Sequence, residues 1–228
     1  MGPITLSKAD EMLWLGRYTE RVYTTLREFF ETYDGNVDLE VKDFSEFCAA
    51  CDMPVSPHAR VDEFLYDFLY DRENPVSMCA AMRAAFGDAM LLRPELGTET
   101  ISYVELALIN LRRSKEPGLR LVQHRSVGDD ILAFWGSIEN GCGDRSVKAL
   151  VFVGKYVERI ELLSRFGKPD RELAGAVDKL ALYLSFVESP ECLPIAQVLE
   201  ELATRVCERG YGVPLGDRIR GLIQEPAA

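Results

Sequence analysis

One eight-residue pattern occurs twice in this chain. Leu15-Gly16-Arg17-Tyr18-Thr19-Glu20-Arg21-Val22 and Val153-Gly154-Lys155-Tyr156-Val157-Glu158-Arg159-Ile160 share four identities and three conservative matches, 138 residues apart. That separation is no solenoid period; it predicts a pair of related helices, as an ancient duplication would leave. Each copy follows a turn that is apolar all round, Met12-Leu13-Trp14-Leu15 and Leu150-Val151-Phe152-Val153. A helix apolar on every side has to be surrounded by protein. Each copy also carries a mid-helix glycine, which costs about 1 kcal/mol against alanine and is tolerated where another backbone comes close. The repeat therefore calls for two central helices with a close crossing at Gly16 or Gly154.

The helical wheel assigns faces. Tyr18 shares a stripe with Leu15, Val22, Leu26, Phe29 and Tyr33, whereas Gly16 and Glu20 lie nearly opposite Tyr18; Tyr156, Gly154 and Glu158 have the same phases. The expectation is a reciprocal network across a pseudo-twofold, Glu20 near Arg159 and Glu158 near Arg21, at the edge of a buried region or in a cleft. Two roles stay open for it. The charges fix helix register and packing, or Arg17, Arg21, Lys155 and Arg159 hold an anionic ligand group while Glu20 and Glu158 orient it or act as acid/base groups.

The rest of the chain reads as helix as well. No run of strict alternation between turn signals indicates a strand. The predicted helices run from about Ser7 (as cap) to Tyr33 with the Asp34-Gly35-Asn36 stop, from Val41 to Cys51, from Ala59 to Tyr70, from Asn74-Pro75 to about Leu92, and from a Thr98 cap to about Ser114. Beyond the Lys115-Glu116-Pro117-Gly118 loop come Val127 to Glu139, Asp144 to Phe166, Asp170 to Val187, a helix punctuated by Ser189-Pro190 and Pro194 that ends near Glu208, and a last one after Pro214. The tail from Glu225 is expected to fray. No Ser-, Gly- or Pro-rich linker divides the chain, so the expected architecture is one all-α domain over residues 1–228, a bundle of about eight to ten helices.

The net charge of −11 argues against general nucleic-acid or anionic-membrane binding. Charge is uneven: residues 28–46 hold seven acids and one base, residues 112–125 five bases and one acid. The plain account is solvated faces; the sharper one makes 112–125 a local anion or partner contact. No apolar run is long enough to span a bilayer and the N-terminus lacks a secretory pattern, so the cytoplasm and reduced thiols are expected.

The repeat and its surroundings resemble the bacterial alpha-E family, a helical domain with a Glu-Arg signature. Leu6-Ser7-x-x-Asp10-x-Met12 through Arg21 is similar to the family's opening helix. Tyr70-Asp71-Arg72-Glu73-Asn74-Pro75-Val76-Ser77-Met78 is similar to its central segment, Arg83 and Arg93 fall where the next helix carries arginines, and Val153 through Arg159 resembles its second Glu-Arg helix. The resemblance spans most of residues 4–167. Two departures stand out: family members are usually longer, and Lys155 is less forked than an arginine, so it would grip a carboxylate or phosphate less specifically. The resemblance implies an all-helical fold. It also implies genes for ATP-grasp-type ligases, transglutaminase-like proteins and other amide-forming or amide-cleaving enzymes alongside, and hence a peptide-like product.

Other constellations are weaker. Asn74-Pro75-Val76-Ser77 reads as a helix start, either a plain Asn cap or, if Arg72 and Arg83 converge on it, an anion site. Cys48-Ala49-Ala50-Cys51, followed by His58, lacks a second CxxC for zinc and the βαβ context of a redox pair; only His124 joins His58 in the whole sequence, so no metal or cofactor is expected. No P-loop, nucleophile elbow, HExxH or dinucleotide loop is present. Three functions follow: an accessory or substrate-presenting component of an ATP-grasp-type amide-ligase system, an enzyme acting on an amide or peptide, or a structural scaffold.

Overall fold

The computed structural model describes residues 4–34, 44–53, 61–115, 120–187 and 195–222. Among them are eleven helices and no strand: α1 (Leu6–Asp34), α2 (Ser45–Ala50), α3 (Val61–Tyr70), α4 (Met78–Leu91), α5 (Arg93–Leu96), α6 (Thr98–Arg113), α7 (Arg120–Gly141), α8 (Arg145–Arg165), α9 (Asp170–Leu184), α10 (Ile195–Glu208) and α11 (Val213–Gly221). The fold is all-α, as the periodicity requires. Gly35, Asn36, Val41, His58, Ala59, the loop from Glu116, Ser189-Pro190, Pro194, the tail from Glu225 and the side chain of Tyr33 lie outside the described residues.

The two repeat helices form the axis of the bundle. α1 and α8 make the most extensive helix pair; α4 and α7 also pack on α1, and α9 and α10 on α8. α6 joins α4 and α7 on one flank, while α11 closes against α10 on the other. Below the charged centre, Phe29 of α1 stacks on Phe44 and meets Phe47 and Phe68 with ring centroids 5.4–5.7 Å apart. This apolar knot fastens α2 and α3 to the lower half of α1.

Several starts and stops differ from the sequence expectation because local bonds choose the cap. Thr5, not Ser7, caps α1: the Lys8 amide donates to Thr5 Oγ1 at 3.3 Å, while Ser7 bonds Glu11. Asn74 and Pro75 do not open α4. Asn74 Oδ1 accepts from the Val76 amide in a turn, and Ser77 is the cap, accepting from the Ala80 amide at 3.1 Å. Pro94 starts a separate short helix, α5, and Gly97 with φ 79° occupies the cap position assigned to Thr98. α7 begins at Arg120, seven residues before Val127. Asp144 does cap α8, through the Ser146 and Val147 amides at 2.9 and 3.1 Å.

Candidate functional site

The glycines set the centre. A Cβ on Gly16 would collide with the Val151 carbonyl oxygen and lie 2.8 Å from the Lys155 nitrogen. A Cβ on Gly154 would collide with the Leu13 carbonyl oxygen and lie 2.8 Å from its carbon. The contacts exchange under the offset of 138 residues, Leu13 for Val151 and Gly16 for Gly154, so the crossing is a pseudo-twofold. Only hydrogen at these two positions lets the backbones touch.

One turn on, the crossing brings the two Glu-Arg pairs of the repeat together. Arg159 donates from Nε and a terminal nitrogen to the two oxygens of Glu20, at 2.6 and 2.9 Å. Arg21 Nε donates to Glu158 at 2.6 Å. Glu20 is 0% and Glu158 2% exposed, so both carboxylates are buried rather than at an edge. The apolar stripe that Tyr18 shares is buried at Leu15, Val22, Leu26 and Phe29. The glycine–glutamate face is buried as well, because α8 lies against it, and Tyr18 and Tyr156 themselves are only partly buried.

The Glu20 end is closed. Thr24 donates to Glu20 at 2.6 Å, and Trp135 from α7 donates to Thr19 at 3.3 Å. Lys155 Nζ lies 3.5 Å from the Trp135 ring centre, a cation–π contact in a dry site. Burial pulls the Lys155 pKa down to about 8, against the opposing attraction of Glu20. Burial also raises Glu20, partly offset by Arg159 and Thr24, whereas for Arg159 the pull of Glu20 outweighs burial and holds its pKa up. These shifts oppose each other across one pair. The ionised pair is the state the geometry supports, because a guanidinium does not give up its proton and three donors converge on Glu20.

The Glu158 end is larger and more charged. Arg17 Nε takes the second oxygen of Glu158 at 2.8 Å. Glu161, one turn further along α8, accepts from Arg17 at 3.3 Å, Arg165 at 2.6 Å and Arg205 of α10 at 2.8 Å. Burial works against the Glu161 charge, but the three arginines outweigh it and hold its carboxyl below the usual range. Arg165 also pairs with Asp52. Beside this network a partly open cavity of about 140 Å³ is lined by Arg21, Arg165, Glu158 and Asp52, by Val76, Met78 and Leu162, and by Thr25 and Cys51.

The structure thus brings Arg17, Arg21, Lys155, Glu20, Glu158 and Arg159 into one centre flanked by Tyr18 and Tyr156. The second candidate site is brought only partly. Ser77 is buried and used for capping and for a bond to the Asp71 carbonyl, Asn74 for its turn, and Arg72 and Arg83 point outward without an ion pair among the described residues. Yet Val76 and Met78, on either side of Ser77, line the cavity, so α4 starts at the Glu158 end. Sequence reasoning missed Glu161, Arg165, Asp52, Arg205, Thr24 and Trp135. The i,i+4 spacings of Glu161 with Arg165 and of Glu20 with Thr24 are readable signals; Asp52, Arg205 and Trp135 meet the centre only through tertiary contacts. Cys48 and Cys51 are free thiols with pKa pushed by burial to about 11 and about 12, neutral and unreactive at pH 7. No described group of three His, Cys, Asp or Glu is arranged to hold a metal, and no described helix is long and apolar enough to cross a membrane.

Residues 6–190 match the Alpha-E family, described as a predicted alpha-helical domain with a conserved ER motif. The chain belongs to the Alpha-E family. Within the matched residues Glu-Arg occurs at Glu20-Arg21 and Glu158-Arg159, each glutamate bound by the arginine of the other helix. No curated protein and no solved structure matches the chain. The Alpha-E match stops before α10, so Arg205, which completes the Glu161 cluster, comes from outside it.

Proposed function

We propose that this Alpha-E chain is a non-catalytic, substrate-presenting component of an ATP-grasp-type amide-ligase system, and that its Glu-Arg centre binds the anionic end of a peptide-like substrate or product. What carries the reading is the state of the two motif glutamates. Glu20 is clamped by both donors of Arg159, and Glu158 by Arg17 and Arg21, one on each oxygen. A carboxylate held this way is preorganised as a fixed negative charge and makes a poor proton shuttle. The ligase setting comes from the family resemblance, and the missing nucleotide-binding loops would put ATP chemistry on another chain.

The test is reconstitution with an ATP-grasp-type ligase from the same genome. The chain alone should turn over no amide substrate, and adding it should change the ligase's rate of ADP release or its product. Turnover by the chain alone that disappears in a folded Glu158→Gln variant would instead make it an enzyme.

A further inference from the structure

We infer that the cavity beside Glu158 is a binding site for a small zwitterionic α-amino acid, with its carboxylate on Arg21 and its ammonium group on Asp52. The inference deepens the proposal of a binding centre and rests on it; it does not depend on the ligase partnership.

The donors come first. Arg21 uses only Nε on Glu158, and its terminal nitrogens make no hydrogen bond among the described residues. Arg165 gives its two terminal nitrogens to Asp52 and Glu161, while its Nε is buried without any partner. Arg165 is therefore committed to its carboxylates, and the free donors at the cavity are the terminal nitrogens of Arg21. The start of α4 lies at the same wall through Val76 and Met78, and its positive end favours a carboxylate there.

Charge balance decides against a simple anion. The lining holds two arginines and two carboxylates. A dianion such as phosphate meets repulsion from Glu158 and Asp52, whereas a zwitterion finds both signs. Asp52 is the acceptor at the mouth, its side chain 66% exposed. Its backbone is informative. The Met53 amide bonds the Cys48 carbonyl at 2.9 Å and the Asp52 amide the Ala49 carbonyl at 3.3 Å, which is the Schellman ending of α2. Asp52 occupies its left-handed position with φ 55°, the one non-glycine residue with positive φ among those described. Glycine takes that conformation without strain; an aspartate there puts a carboxylate beside Arg165 at some conformational cost.

Size narrows the ligand. A cavity of ~150 Å³ takes benzene, which has as many non-hydrogen atoms as alanine. Val76, Met78 and Leu162 offer an apolar wall to a methyl group. Glycine, alanine and serine fit; leucine overfills.

The experiment is calorimetric titration of the purified full chain with alanine, propionate, ethylamine and phosphate, repeated on Asp52→Gly. Alanine should bind saturably, and propionate and ethylamine at least about tenfold more weakly. D52G should stay folded, because glycine takes the positive φ of position 52 without strain, yet bind alanine about tenfold more weakly and propionate no more weakly than the parent does. Alanine giving no saturable heat up to about 10 mM with folded protein overturns the inference. So does propionate or phosphate binding as tightly as alanine, although that result leaves the anion-binding proposal standing.

Discussion

Glu20 and Glu158 occupy equivalent positions in the repeat, 138 residues apart, but their surroundings have diverged. α7 seals the Glu20 end with Trp135 over Lys155, and Thr24 and Arg159 saturate the carboxylate. At the Glu158 end, leucine stands at position 162 where the other copy has Thr24, and Glu161 stands where it has Tyr23. A second acid draws in Arg17, Arg165 and Arg205, and a cavity of about 140 Å³ is left beside them. One copy of the motif has become a structural clasp, the other the wall of a site. A paired charge inside a helix crossing is compatible with either role, and the covering helices decide which.

The comparison can be broken at several points. The largest effect is expected where the two halves are still equal. Gly16→Ala and Gly154→Ala each drive a methyl group into a backbone carbonyl, and each should cost at least about 3 kcal/mol in urea unfolding, the upper end for overpacking. A large cost at one glycine and none at the other would end the pseudo-twofold. Next come the glutamates. Glu20→Gln leaves a buried arginine contact unmatched and should cost about 3–5 kcal/mol. Glu158→Gln should cost about 1–3 kcal/mol, because Glu161 and the cavity remain to Arg17 and Arg21. Equal losses would mean that the ends are energetically alike.

Smaller effects are read from pH. The Lys155 pKa of about 8 lies below its ordinary 10.5, so the unfolded chain binds more protons between these values. Wild-type stability should therefore rise with pH across that window. Lys155→Met should flatten the rise in thermal melts and be at least as stable at pH 7; an unchanged slope would place the titration elsewhere. At the other end, Glu161 is held below its ordinary 4.5. Its contribution is complete above that value and is lost as pH falls through the lower folded value. Glu161→Gln should be less stable at neutral pH and show a shallower acid limb. This is the smallest of the four effects, because water reaches part of the network and screens it.

Much of the centre was legible because it is local and periodic. Gly16 and Glu20 share one helix face, Gly154 and Glu158 repeat it, and the apolar turns before them leave little choice but central helices. The reciprocal Glu20–Arg159 and Glu158–Arg21 contacts follow once the two helices cross at their glycines. The cap positions were less legible. Asn74, Ser77, Thr5, Ser7 and Thr98 all offer capping oxygens or helix-start signals, and only the surrounding turn decides among them. The short helix Arg93–Leu96 falls between the predicted helices that end near Leu92 and start at Thr98, and four residues are too few to show a period.

The sequence by itself determined the all-helical class, the duplicated motif and the need for two helices to touch at glycine, because these rest on periodicity of 3.6 residues and on one missing side chain. The tertiary structure alone decided which half is sealed and which is open. Trp135, Asp52 and Arg205 come from distant parts of the chain, and no spacing along it records that one covers Lys155 while the others gather at Glu158. Burial and charge balance are properties of the assembled bundle, so the difference between a clasp and a site appears only there.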